Sequence, residues 1–174
     1  MASADGIQLA GHREASVHHF ANVTFNNMRG GIFTSNYDIT MADFIDFIRT
    51  RNRPVAERHR EYLESLPESV SLKFLTEKIE KSSDPDLIRL NYEYLPLYFG
   101  RRHGDPSRPW NQFSIRVKNA DGERALDYQG NWRDIFQNWE ALAFSYPGFV
   151  PNIIAKFVNA STVDGFNPYR ITRE

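Results

Sequence analysis

The chain has 174 residues, enough for one domain or a piece of a larger one, with 41% apolar and 25% charged residues and a net charge of −1. That balance is ordinary for a globular protein, and it provides no global field to attract nucleic acid or an anionic membrane. Cysteine is absent, so disulfides and thiolate metal sites are excluded.

From Gly6 to Ser35 the text is punctuated by Gly and Asn, with short apolar groups as in "FANVTFNNMRGGIFTSN". It reads as short strands and turns, giving a first segment over 1–39. From Thr40 the period changes. Met41, Phe44, Ile45 and Ile48 recur at helical spacing, and Thr40 with Asp43 resembles a capping box. Pro54 suits the first turn of a second helix that runs to about Leu66. Residues 71–81 form a third helical stretch, and Asp84-Pro85 caps and opens a fourth that runs to about Tyr94. The helical segment so defined covers 40–99. Its charge run "RTRNRPVAERHREYLE" is read as a solvated helix surface rather than an RNA-binding one.

The third segment, 100–174, begins with the loop "GRRHGDPSRPWNQ", where two Pro and two Gly preclude a helix. "QFSIRV" and "RALDYQ" alternate in character around an Asp121-Gly122 hairpin turn. Two helical patterns follow. Ile135, Phe136, Trp139, Leu142 and Ala143 mark one, and Ile153, Ile154, Phe157 and Val158 the other. The short connector "SYPGFVP" predicts an antiparallel αα-hairpin spanning about 132–160. No apolar run approaches the roughly 18 residues of a membrane span, and the first residues carry no hydrophobic signal core, so a cytoplasmic location is expected. The abrupt end at "NPYRITRE" reads as a cut, and the chain is expected to be a fragment. A truncated hairpin would leave an apolar patch near Trp139, Phe144 and Phe157.

Aromatic residues make up 14% of the chain, and such rings are either buried or used as binding surface. Tyr128, Trp132, Trp139, Phe166 and Tyr169 cluster around the ends of the predicted hairpin, beside Arg133 and Asp134. Flat rings that face a sugar's C–H surface, with carboxylates and Arg for its hydroxyls, are the ingredients of a carbohydrate site. The bland reading carries equal weight on local sequence: Asp134 sits where the helix dipole favours a carboxylate, and Arg133 pairs with a nearby acid. In the loop, Trp110 would stack while His103 or Asp105 contacts hydroxyls; a surface turn held by salt bridges is the alternative. Glu140 lies six residues past Asp134, about 240° around the helix, which disfavours a joint role. Adjacent His18 and His19 would point to opposite faces of a strand, and His12, His59 and His103 have no carboxylate partner at ligand spacing. A metal site is therefore not expected. No phosphate loop or nucleophile elbow occurs, and no cofactor is implied.

The stretch "GNWRDIFQNWEAL…GFVPNIIAKFVNASTVDGFNPY" resembles the first inner hairpin of six-hairpin, (α/α)6-barrel glycosidases, above all the glucosidase domain of glycogen debranching enzymes. Residues 92–115 resemble the segment that leads into such a barrel, and residues 12–90 resemble inserts or leading domains of large bacterial proteins of this group. The resemblance proper covers well under half of the chain. It implies a mainly α fold with a small β part: a partial (α/α)6 toroid preceded by short N-terminal strands. It also implies that Arg133 and Asp134 line the subsite of the reacting sugar, with Asp134 binding two hydroxyls. The family usually has Gly before the Arg; here Trp132 stands there. Trp132, Arg133, Asp134, Trp110, His103, Asp105 and Tyr169 are thus the expected substrate-binding residues. The general acid and base would lie beyond Glu174, so the intact protein would be a glycoside hydrolase or phosphorylase acting on an oligo- or polysaccharide, and this chain alone would be inactive. Two other readings stand beside it: a non-catalytic carbohydrate-binding module, and a helical protein-interaction module using the charged helices of residues 40–80.

Overall fold

The computed structural model describes residues 13–29, 31–98 and 113–173. It is mainly helical, with three small two-stranded sheets. In chain order the elements are α1 (Arg13–Arg29), β1 (Ile32–Phe33), β2 (Asp38–Thr40), α2 (Met41–Arg51), α3 (Arg53–Arg58), α4 (Arg60–Glu64), β3 (Ser69–Ser71), α5 (Leu72–Glu80), α6 (Pro85–Glu93) and β4 (Leu97–Tyr98). Then come β5 (Gln129–Asn131), α7 (Trp132–Ser145), a 3-10 turn at Pro147–Phe149, α8 (Val150–Asn159) and β6 (Arg170–Thr172).

These elements sort into two compact units, each discontinuous in sequence, rather than into the consecutive segments expected above. The first comprises residues up to 36, 96–150 and 160–173; the second comprises 37–95 and 151–159.

In the first unit the expectation of strands and turns over 1–39 is overturned at Arg13–Arg29, which form α1. Val17, Asn22 and Thr24 have low helix propensity, which favoured the strand reading. Packing against α7 overrides that preference. His19 is buried edge-on to Tyr146, with ring centroids 5.7 Å apart. Asn22 Nδ2 donates to the Ala141 carbonyl at 3.1 Å and to Ser145 Oγ at 3.3 Å. Below these residues Phe33 stacks on Phe149 at 3.9 Å and meets Tyr146 edge-on, and Tyr128 meets Trp139 edge-on at 5.1 Å. β1 and β4 pair antiparallel, Ile32 with Tyr98 and Phe33 with Leu97. Gly31 enters this pair at φ +86, and a Cβ there would lie 3.2 Å from the Tyr98 carbonyl. Only glycine meets both conditions without strain.

The Asp121-Gly122 turn forms, with Gly122 at φ +82 and its N–H donating to the Asn119 carbonyl at 3.1 Å. Its arms barely pair: Lys118 and Arg124 make an isolated bridge. Two backbone bonds cross the arms, Asn119 N–H to the Glu123 carbonyl at 2.9 Å and Ala125 N–H to the Val117 carbonyl at 3.1 Å, and side chains extend the pairing. Asp127 accepts from the Arg116 N–H at 2.7 Å, and Gln129 accepts from the Ser114 N–H at 3.0 Å.

In the second unit the helices lie close to where their periodicity predicts. Met41, Phe44, Phe47 and Ile48 of α2, Leu72, Leu75 and Ile79 of α5, and Leu87 and Leu90 of α6 are buried. β2 pairs with β3, Ile39 opposite Val70. The stretch expected as one helix from Pro54 breaks at His59, giving α3 and α4. The capping box expected at Thr40 does not form: Thr40 makes no side-chain cap bond, and Asp43 accepts instead from Tyr94 Oη at 2.6 Å. Residues 151–159 complete this unit. Asn152 Nδ2 donates to the carbonyls of Asn91 and Tyr94, both at 3.1 Å, which satisfies orphan acceptors at the C-terminal end of α6. Ile153 and Phe157 are buried, while Ile154 and Val158 are exposed.

The two helices expected in the αα-hairpin are both present; α7 packs on α1 in the first unit, and residues 151–159 belong to the second. The expected apolar patch is not formed around Trp139 and Phe157, which are buried; Phe144 is exposed.

Candidate functional site

The candidate site is the start of α7, in the first unit. β5 delivers the chain to it and pairs with β6, Asn131 opposite Arg170. Gly130 makes this delivery possible, since a Cβ on it would meet the Ile135 side chain at 3.0 Å. The Trp132 N–H donates to the Tyr169 carbonyl at 2.9 Å, so one of the helix's orphan donors is used to hold Tyr169 beside Trp132. Trp132 is half-buried, and the Tyr169 side chain is exposed.

Asn131 is the N-cap residue, yet its side chain does not cap. Its Nδ2 faces Asp134 Oδ2 at 3.4 Å, and its Oδ1 is buried without a hydrogen-bond partner. Arg133 Nε reaches Asp134 Oδ1 at 3.3 Å, across adjacent residues. Both contacts lie at the long end of the hydrogen-bonding range. The Arg133 side chain is 63% exposed and that of Asp134 19%, so the pair opens to solvent. Chemically this is a carboxylate, a guanidinium and a half-buried indole at one helix start, with the Tyr169 backbone bonded beside them.

Of the other aromatics expected here, Tyr128 and Trp139 belong to the core, while Phe166 lies on the surface in a turn held by Thr162 and Gly165. Glu140 is exposed on α7. Trp110, His103 and Asp105 lie outside the described residues. Asn131 escaped the sequence reading, although its place three residues before Asp134 is a helix-start spacing that could have drawn notice.

The second unit holds two carboxylates of a different kind. Asp84 opens α6. It accepts from the Asp86 and Leu87 N–H groups at 2.9 and 3.4 Å, and from Arg58 Nη1 at 2.6 Å, with His59 Nε2 2.7 Å away. The hydrogen bond to His59 holds its carboxyl below the usual carboxylate range; the helix N–H groups and Arg58 add to this, and burial opposes it. Glu93, buried at the end of α6, receives Arg89 at 2.7 Å, Asn159 at 3.0 Å and Arg51 at 3.4 Å.

Residues 33–96 match the family model described as glycoside hydrolase family 149 insertion domain 1. The match relates the chain to glycoside hydrolases, and it spans less than half of the sequence. Its two ends fall on β1 and immediately before β4, the strands that pair with each other. No curated protein matches the chain. No helix among the described residues is long and apolar enough to cross a membrane.

Proposed function

We propose that the chain is part of a carbohydrate-active enzyme that cleaves glycosidic bonds in an oligo- or polysaccharide. In this reading residues 33–96 are an insert, and the start of α7 contributes to substrate binding in a six-hairpin, (α/α)6-type catalytic domain. The family match to a glycoside hydrolase insertion domain is the observation that carries the glycosidase relation. The open grouping of Trp132, Arg133, Asp134 and Tyr169 supports the placement of the sugar. Asp134 would accept two substrate hydroxyls and Arg133 would orient it, with the rings of Trp132 and Tyr169 against the sugar's C–H face. His103, Asp105 and Trp110 are proposed as further contacts from the 100–112 segment. The acid that protonates the leaving oxygen, and the base that activates water or the phosphate that replaces it, would come from outside this chain.

Asp134→Asn in the full-length protein is the test. A charge-assisted bond that strengthens at the transition state is worth about 1.5–3 kcal/mol, so kcat/KM should fall by roughly one to two orders of magnitude. Asn supports a helix start about as well as Asp, so Tm should hardly move. Unchanged turnover would leave Asp134 as a first-turn acid and remove the sugar from α7. Exposed Phe136 and Phe144 on α7 favour a second reading, a protein-interaction surface. That reading gains if turnover survives Asp134→Asn while substitution of Phe144 abolishes binding to a partner.

A further inference from the structure

A groove of about 470 Å³ lies in the second unit where α2 gives way to α3 and α4. Its size falls in the range of small-molecule sites. Asn52, at φ −153 and ψ 87, breaks the helix between Arg51 and Arg53 and turns α3 away from the line of α2. Ile45 and Ala56 line the groove alongside three guanidinium groups, those of Arg49, Arg53 and Arg60.

The three arginines are not equivalent. Arg53 reaches Glu57 through Nε at 2.8 Å, and Arg60 reaches Glu64 through Nε at 3.0 Å. Each pair orients a guanidinium by its Nε edge and leaves its terminal nitrogens available as donors. Arg49 is exposed and makes no ion pair among the described residues. Three guanidiniums against two carboxylates leave the lining with one uncompensated positive charge at neutral pH, and that charge belongs to Arg49. Among the described residues no aromatic ring lines the groove, so they offer no flat surface on which a neutral sugar would stack.

We propose that this groove binds a small oxyanion, a phosphate or carboxylate group, with the Arg49 guanidinium as its primary partner and Arg53 and Arg60 donating from the side. Planar forks match both anions bidentately. The site lies within residues 33–96, is separate from the α7 site, and stands or falls independently of the glycosidase reading.

The test uses the full chain, labelled for amide NMR and titrated separately with inorganic phosphate, a hexose phosphate, glucuronate and glucose, with chloride holding ionic strength constant. At least one anion should shift the amides of residues 45–64 saturably, while glucose leaves them in place. Arg49→Ala should weaken that binding roughly tenfold, and Arg49→Lys, which keeps the charge but loses the fork, by a smaller factor. A response to phosphate alone assigns free phosphate, a tighter response to the hexose phosphate assigns a monoester, and a response to glucuronate alone assigns a carboxylate. The proposal is overturned if no anion saturates, if glucose binds as well as the anions, or if Arg49→Ala leaves the affinity unchanged. Arg49 is exposed and makes no ion pair among the described residues, so its replacement leaves the fold intact.

Discussion

Asp84 and Asp134 both stand at a helix start, one in each unit, where the dipole favours a carboxylate: Asp84 is the N-cap of α6, and Asp134 lies in the first turn of α7. Asp84 is surrounded: two backbone donors, one guanidinium and one imidazole lie within 3.4 Å, and its side chain is 9% exposed. Asp134 takes Arg133 and Asn131 at 3.3 and 3.4 Å and keeps twice that exposure. The same residue type near a helix start is thus more deeply enclosed in one place than in the other. Sequence alone reads Asp84 as a cap and weighs a structural and a functional role equally for Asp134. The difference lies in donors supplied by residues 25 and 26 positions away.

Four substitutions probe this contrast. The largest effect is expected at Glu93, the most deeply buried of these carboxylates. Glu93→Ala strands Arg51, Arg89 and Asn159, and chemical denaturation of the chain should show a loss of about 3 kcal/mol. A loss below 0.5 kcal/mol would mean that this network adds nothing beyond its own desolvation cost. Next comes Asn152→Ala, which leaves the Asn91 and Tyr94 carbonyls without their donor. About 2 kcal/mol should be lost, and hydrogen exchange should rise in α8 and at the end of α6.

Asp84→Asn keeps the cap but removes the charge that Arg58 and His59 face, so roughly 1 kcal/mol should be lost near neutral pH. The sign of its pH dependence follows from the lowered carboxyl pKa. Stability from Asp84 is fully present above the ordinary value of 3.8 and is lost as pH falls through the lower folded value. Wild type and variant should therefore converge in acid below that range, and a gap that widens there would contradict the assignment. The smallest effect is expected at Asp134: Asp134→Asn should change unfolding free energy by less than about 0.5 kcal/mol. A loss as large as that at Asp84 would make the two aspartates alike and end the comparison.

What was legible in the sequence follows the same division. The helices from Thr40 to Tyr94 announced themselves through apolar spacing and through Asp84-Pro85, local signals that tertiary structure left in place. α1 was illegible because its residues favour other conformations, and its helix is sustained by α7, more than 100 residues downstream. The partners of α7 and α8 were illegible for a related reason. A short connector between two amphipathic helices predicts mutual packing, whereas the assignment of α7 to one unit and of residues 151–159 to the other depends on residues distant in sequence. At the site, the residues at 132–134 and Tyr169 could be read from composition and order. The hydrogen bond that joins Trp132 to Tyr169 could not, since it depends on the β5–β6 register.

The antiparallel pairing of β1 with β4 has a consequence for how such a chain could be assembled. Paired strands lie about 5 Å apart, so everything between Phe33 and Leu97 leaves and returns through the same narrow gap. A two-residue turn could close that gap and delete the segment without disturbing its neighbours on either side. The deletion would nonetheless leave a scar. Asn152, Ile153 and Phe157, which the segment helps to bury, lie outside it in the chain and would face water. Gain of the segment and the apolar character of α8 are therefore tied, and a lineage that lost one would come under pressure to make the other polar.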